Sequence, residues 1–186
     1  MIIGHFLLDA NEANAFVLGC ETTREAALID AGAADARIAP FLEAHGLRLT
    51  QILITHGHWD HVDGLADLLK TFPVEVYSFS GNVGGVATGR LAHGDTVRVG
   101  ALTGRVVHTP GHTPDGIRFL FEGAAFCGDA LFSGSVGGTT NEVDYERQLA
   151  AIREHLFSLP DDTEIFVGHG PSSTIGLERR YNPFFM

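Results

Sequence analysis

The sequence is poor in cysteine and in basic residues, and it has no long apolar run. Two cysteines, Cys20 and Cys127, cannot build a disulfide framework, and nothing around them suggests an oxidising compartment. Each reads as a small buried residue. Lysine and arginine together number 12 against 23 aspartates and glutamates, and the resulting net charge of −11 argues against nucleic acid or anionic membrane surfaces as main partners. No stretch approaches the roughly 20 apolar residues that cross a bilayer. The opening MIIGHFLLDANEAN lacks a basic n-region and carries Asp9 and Glu12 early, so no cleaved secretory signal is expected and a cytoplasmic location follows. Residues 81–89 are rich in glycine but lack the GK[ST] ending of a phosphate loop, so they read as a flexible surface connection.

What is present fits an α/β protein. The 186 residues, 45% hydrophobic with 23 glycines, suffice for one substantial core, and residues 1–186 are expected to form a single domain. Apolar runs at 2–8, 15–20 and 26–30, parted by the polar turns DANEAN and ETTRE, predict a strand meander. Residues 34–45 predict a short amphipathic helix closed by Gly46. A buried strand over 49–55 leads into a helix over 61–72 that Pro73 ends. A second series predicts strands at 74–79, 96–99, 102–109, 117–121 and 124–127, a helix over 145–157 and a strand over 164–167. Two strand-rich halves, each followed by helix, suggest two packed sheets with helices outside.

The chemistry is concentrated at 55–61, THGHWDH, directly after the apolar run that ends at Ile54. His56 and His58 are two apart, so extended backbone points both to one side. Asp60 and His61 follow at the predicted helix start, where a turn brings them round. Histidines at a strand end can also simply cap a turn or face solvent, which accounts for one or two of them and poorly for four. More ligand-type residues recur at predicted strand ends: His112 in PGH, Asp129 in GD and His169 in GHG. Glycine adjoins each, permitting the tight backbone needed to present it. Seven side chains, His56, His58, Asp60, His61, His112, Asp129 and His169, are too many for one zinc with about four ligands. With Asp129 shared, two divalent metals would each have four protein ligands, and a bridging hydroxide would bring each to about five. A nitrogen and carboxylate set without thiolate suits zinc, iron or manganese.

THGHWDH with PGHT, GDALF and VGHGP resembles the metallo-β-lactamase superfamily, in order and spacing, over residues 55 to 170. The resemblance implies a four-layer αβ/βα sandwich. It implies His56, His58 and His112 on one metal, Asp60, His61 and His169 on the other, and Asp129 on both. A closer likeness, carried by GDALFSGSVG at 128–137, GHGPSSTIG at 168–176 and ERRYNPF at 178–184, is to glyoxalase II and short bacterial hydroxyacylglutathione hydrolase-like proteins. It implies two divalent ions, zinc foremost, and hydrolysis of an S-acyl thioester such as S-lactoylglutathione by a metal-bridged hydroxide. Asp60 would orient that hydroxide and accept its proton. The segment after GSVG carries Gly138 where many relatives have arginine, and the helical carboxy-terminal domain of full-length glyoxalase II is not expected here, which points to weaker or broader thioester hydrolysis. The competing readings are a persulfide dioxygenase with a single iron, disfavoured by the form His169-Gly170-Pro171, and a lactonase or β-lactamase-type hydrolase.

Other residues carry less. His108 either supports the His112 loop by a hydrogen bond or is an ordinary buried histidine. Asp115 either orients His112 or serves the turn before Gly116. Asp63 suits the first helical turn. Trp59 lines the mouth of the site or packs, and Tyr145, Arg179 and Arg180 read first as surface residues. His5, His45, His93 and His155 have no partner in the pattern and are expected to be solvated.

Overall fold

The computed structural model describes residues 1–186. Its first half supplies β1 (Ile2–Leu7), β2 (Asn14–Gly19), β3 (Glu25–Ile29), α1 (Ile38–Ala44), β4 (Arg48–Leu53), α2 (Trp59–Val62), α3 (Leu65–Thr71) and β5 (Glu75–Ser78). A small hairpin of β6 (Asn82–Val83) and β7 (Val86–Ala87) and the edge strand β8 (Gly89–Arg90) follow. The second half supplies β9 (Thr96–Val99), β10 (Leu102–His108), β11 (Ile117–Phe121), β12 (Ala124–Gly128), the hairpin β13 (Leu131–Phe132) and β14 (Ser135–Val136), and α4 (Glu142–Ala151). It closes with β15 (Glu164–Val167), β16 (Ser173–Thr174) and α5 (Ile175–Tyr181).

These strands make two six-stranded sheets, ordered β1-β2-β3-β4-β5-β8 and β16-β15-β12-β11-β10-β9. The central strands are apolar at nearly every position because both of their faces are buried. In β4 and the residue after it, Ile52 and Ile54 face α1 to α3 while Leu53 faces the other sheet. In β12, Ala125 and Cys127 pack toward α4 and α5 while Phe126 points between the sheets, beside Phe16, Phe119 and Phe166. Three apolar layers thus separate helix, sheet, sheet and helix, which is the expected four-layer αβ/βα sandwich.

Local departures from the sequence expectation have visible causes. The helix expected over 61–72 is two, α2 and α3, broken at Gly64. There the amide donates to the Ala31 carbonyl at 2.9 Å, and a Cβ would lie 2.2 Å from the carbonyl carbon of Ala33. Main chain packs on main chain at that point, so the helix cannot run through. Residues 81–89 are no loose connection, since they form β6, β7 and the start of β8, which pairs in parallel with β5. The helix expected from Ala34 starts only at Ile38. The one expected from Tyr145 starts at Glu142, behind an Asn141 side chain that caps the Asp144 amide, and ends in a π-helical turn, Ile152–Leu156. Helix α5 lay outside the sequence reading.

Strand direction decides where the ligand-bearing ends emerge. β3 runs parallel to β4, and β10, β12 and β15 share one direction through the antiparallel β11. Their carboxy-terminal ends open on one edge of the sandwich. The start of β2 lies at the same edge, because β2 is antiparallel to β3.

Candidate metal centre

All seven candidate ligands meet at that edge. His56, His58, His112 and Asp129 offer ligand atoms that lie within 4.8 Å of one another, and Asp60, His61 and His169 form a second such group. In the first group, His58 Nδ1 lies 3.2 Å from His56 Nε2 and 2.9 Å from His112 Nε2. Asp129 joins the groups: its Oδ2 is 3.4 Å from both His112 Nε2 and His169 Nε2, and its Oδ1 is 3.3 Å from His61 Nε2. Asp60 Oδ2 is 3.4 Å from His169 Nε2. His56, Asp60, His61 and Asp129 are buried, whereas His112 and His169 are half-buried and His58 is exposed. The centre is therefore rooted in the core and open on one side.

The donor set fits divalent cations. Ring nitrogens converge at ligand-to-ligand distances, and His61 Nε2 and Asp129 Oδ1 are buried with no hydrogen-bond partner. Orphaned buried donors and acceptors are costly, and a shared cation satisfies both at once. Burial, aided by the neighbouring His61 charge, holds the His56 imidazole well below its ordinary pKa, in the neutral form a metal needs. Burial likewise lowers His112. His61 behaves differently: burial pulls it down, but Asp30 and Asp129 outweigh that and push it up to about 10. Burial would raise Asp129, yet contacts from His169 and His61 hold it well below the carboxylate range.

The partners behind the ligands fix which nitrogen faces the centre. His56 Nδ1 lies 3.1 Å from Thr55 Oγ1, and His112 Nδ1 lies 2.7 Å from the Gly138 carbonyl oxygen. Gly138 thus serves the site through its main chain. His61 Nδ1 meets Asp30 Oδ2 at 2.9 Å, and Asp30 also accepts from the Thr55 amide and hydroxyl, each at 2.8 Å. Asp30 sits just beyond β3 with φ 60°, a left-handed conformation that aspartate tolerates better than most residues. Gly168 is required by close approach, since a Cβ there would fall 1.9 Å from Asp129 Oδ1.

The sequence reading missed Asp30, whose one signal is an acidic residue closing the apolar run AALID beside the ligand strand. It also missed Asn11, which donates to Asp60 Oδ2 at 2.7 Å. Arg118 was missed too, a fully buried guanidinium whose Nε donates to Thr109 Oγ1 at 2.8 Å and whose Nη2 has no partner. A charge inside IRFLF, a strand buried on both faces, was its signal. Asp115 makes no hydrogen bond to His112 and lies beside Gly57. His108 does support the loop, its Nε2 lying 2.8 Å from the Pro114 carbonyl oxygen while its ring stacks on Phe79. Of the four histidines expected to be solvated, His5, His45 and His93 are exposed and His155 is half-buried; His5 also meets Asn14, His45 the Phe41 carbonyl, and the rings of His93 and His155 lie 4.8 Å apart. Trp59 is 56% exposed at the mouth, Asp63 closes α2, and Tyr145 packs its edge on Phe184.

Comparison with known proteins agrees with this geometry. Residues 8–169 match the family model for the metallo-beta-lactamase superfamily. The chain is 34% identical to hydroxyacylglutathione hydrolase GloC of Haemophilus influenzae over 185 residues, covering 87% of each protein. It is 41% identical over 133 residues to a hydroxyacylglutathione hydrolase of Bradyrhizobium sp., where the match takes in 69% of this chain but only 51% of the longer relative. Among solved structures, ETHE1 from Myxococcus xanthus superposes with a TM-score of 0.89 at 32% identity, covering 98% of this chain and 84% of that one. TTHA1623 in a di-iron-bound form superposes with a TM-score of 0.79 at 30% identity, covering 97% and 99%. No helix of this chain is long and apolar enough to cross a membrane. The family match over most of the chain, met by a sandwich whose strand ends gather five histidines and two aspartates, makes this protein a member of the metallo-beta-lactamase superfamily.

Proposed function

We propose that this protein is a metal-dependent hydrolase of S-acyl thioesters, with hydroxyacylglutathione of the S-lactoylglutathione kind as its substrate class. The observation that carries the reading is the pair of ligand groups joined by Asp129, in a chain similar to hydroxyacylglutathione hydrolases. His56, His58 and His112 would hold one divalent ion, Asp60, His61 and His169 the other, and Asp129 both, with zinc the first candidate and iron or manganese also suited to these donors. Bound there, the ions would supply Lewis-acid polarisation of the thioester carbonyl and lower the pKa of water toward neutrality.

The chain's own groups do the rest. Asp60, buried and aimed at His169, orients the attacking water and accepts its proton as the oxygen bonds to the carbonyl carbon. The carbon–sulfur bond then breaks and the thiolate leaves. A thiol of pKa about 8.5 needs little protonation to depart, so no separate general acid is required. Trp59 and Phe132, whose ring lies 6.0 Å from that of His169, flank the opening and would contact the substrate's arms.

Metal analysis together with a substrate panel of glutathione thioesters, lactones, β-lactams and glutathione persulfide tests the reading. Two metals per chain with thioester loss as the fastest reaction is the expected result. One iron per chain, with oxygen consumed on glutathione persulfide, would sink it.

A further inference from the structure

The turn that joins β1 to β2 is held in an unusual way. Within Asp9-Ala10-Asn11-Glu12-Ala13, two consecutive residues other than glycine lie in the left-handed region, Asn11 at φ 52° and Glu12 at φ 53°. Such residues persist where surrounding contacts over-determine them. Here the contacts run to the second ligand group. Asn11 Nδ2 donates to Asp60 Oδ2 at 2.7 Å across 49 residues of sequence. Ala13 forms a β-bridge with His169 itself, and the Asn14 amide donates to the Gly168 carbonyl at 2.7 Å. The buried Asn14 side chain donates to the carbonyls of Val167 and Gly170, each at 2.9 Å. No hydrogen bond runs from the turn to His56, His58 or His112.

We propose that this turn braces the Asp60, His61 and His169 group selectively, with Asn11 as the positioning residue that fixes the Asp60 carboxylate. The oxygen that Asn11 holds is the one facing His169 Nε2, so the hydrogen bond sets the carboxylate's rotation within the triad. Hydrogen-bond partners of ligating groups typically control metal affinity by about 10- to 100-fold. The inference deepens the two-metal reading above and rests on it.

Cobalt(II) titration of the metal-free full chain, followed by its visible absorption and with no substrate present, tests the brace. His169→Ala identifies which binding step belongs to the second triad. Asn11→Gly keeps the left-handed turn, which glycine adopts freely, and removes the side chain that donates to Asp60. Glu12→Gly relaxes the same turn and leaves the Asn11 to Asp60 bond in place. The expected result is a second-triad step weakened at least tenfold in Asn11→Gly and changed less than twofold in Glu12→Gly, with the other step unaltered in both. Equal effects of the two variants, equal loss at both steps, or no change in Asn11→Gly would overturn the proposal. Uptake of a single cobalt by the unaltered protein would instead overturn the two-metal reading beneath it.

Discussion

The two candidate ligand groups share Asp129 in front and Asp30 behind, which meets His61 directly and His56 only through the Thr55 hydroxyl. His56, His58 and His112 come from loops that follow β4 and β10, and their outer partners are a threonine hydroxyl and a glycine carbonyl. His58 is exposed and depends on its neighbours alone. Asp60, His61 and His169 are held from behind by a buried carboxylate, Asp30, and from the side by Asn11 and Asn14. One group opens to solvent at His58, and the other carries the raised His61 and is braced from two sides. The difference teaches that shared fold edges do not imply shared control, because two ions a few ångströms apart would answer to different parts of the chain.

Asp129→Ala should erase the contrast, since the removed group serves both sides. Both cobalt steps are expected to fail, with the proposed thioester hydrolysis down roughly 10³-fold or more, about 4 kcal/mol of barrier. His169→Ala should weaken mainly the second step, and equal loss of both steps in the two variants would count against a bridging Asp129. Asp30→Asn should sharpen the contrast. Asparagine tolerates the φ of 60° at this position and keeps the shape, but it loses the charge on His61. A loss of about 10- to 100-fold at the second step is expected, with a smaller loss at the first, which meets Asp30 only through Thr55, and an equal loss at the first would show the groups to be one unit.

Acidity offers a gentler probe. The metal-free His61 titrates near 10, above the roughly 6.5 of an unfolded histidine, so its charged pairing stabilises the folded chain fully below about pH 6.5. That contribution fades as pH rises toward 10. The melting temperature of the metal-free protein should fall over this interval. Second-site affinity should rise by up to about tenfold per pH unit as one proton becomes easier to displace. A melting temperature that rises instead would contradict the His61 pairing. The smallest effect belongs to His108→Leu, which removes the bond to the Pro114 carbonyl and keeps an apolar side chain against Phe79. A loss near 1 kcal/mol in denaturant unfolding is expected, with any change in cobalt binding limited to the first step.

Much of this centre is legible without coordinates. Ligand-type residues beside glycine at successive strand ends declare themselves locally, because a buried strand is an apolar run and its exit is a break in that run. The αβ/βα layering follows from the same runs, alternating with amphipathic helices. Two helices where one was expected, and strands inside a glycine-rich stretch, were not legible, because Gly64 answers to the backbone of Ala33 and β8 to its pairing with β5.

Residue type and order by themselves picked out the seven candidate ligands and their places at strand ends, and the fold brings them together. Only the tertiary structure decided what stands behind them. Asp30, Asn11 and Asn14 act across dozens of residues of chain, through sheet pairing that places β3 beside β4 and the start of β2 beside the end of β15, while Arg118 is marked only by its burial. A ligand is recognised by its own chemistry, whereas the group that aims it is recognised only by its neighbours.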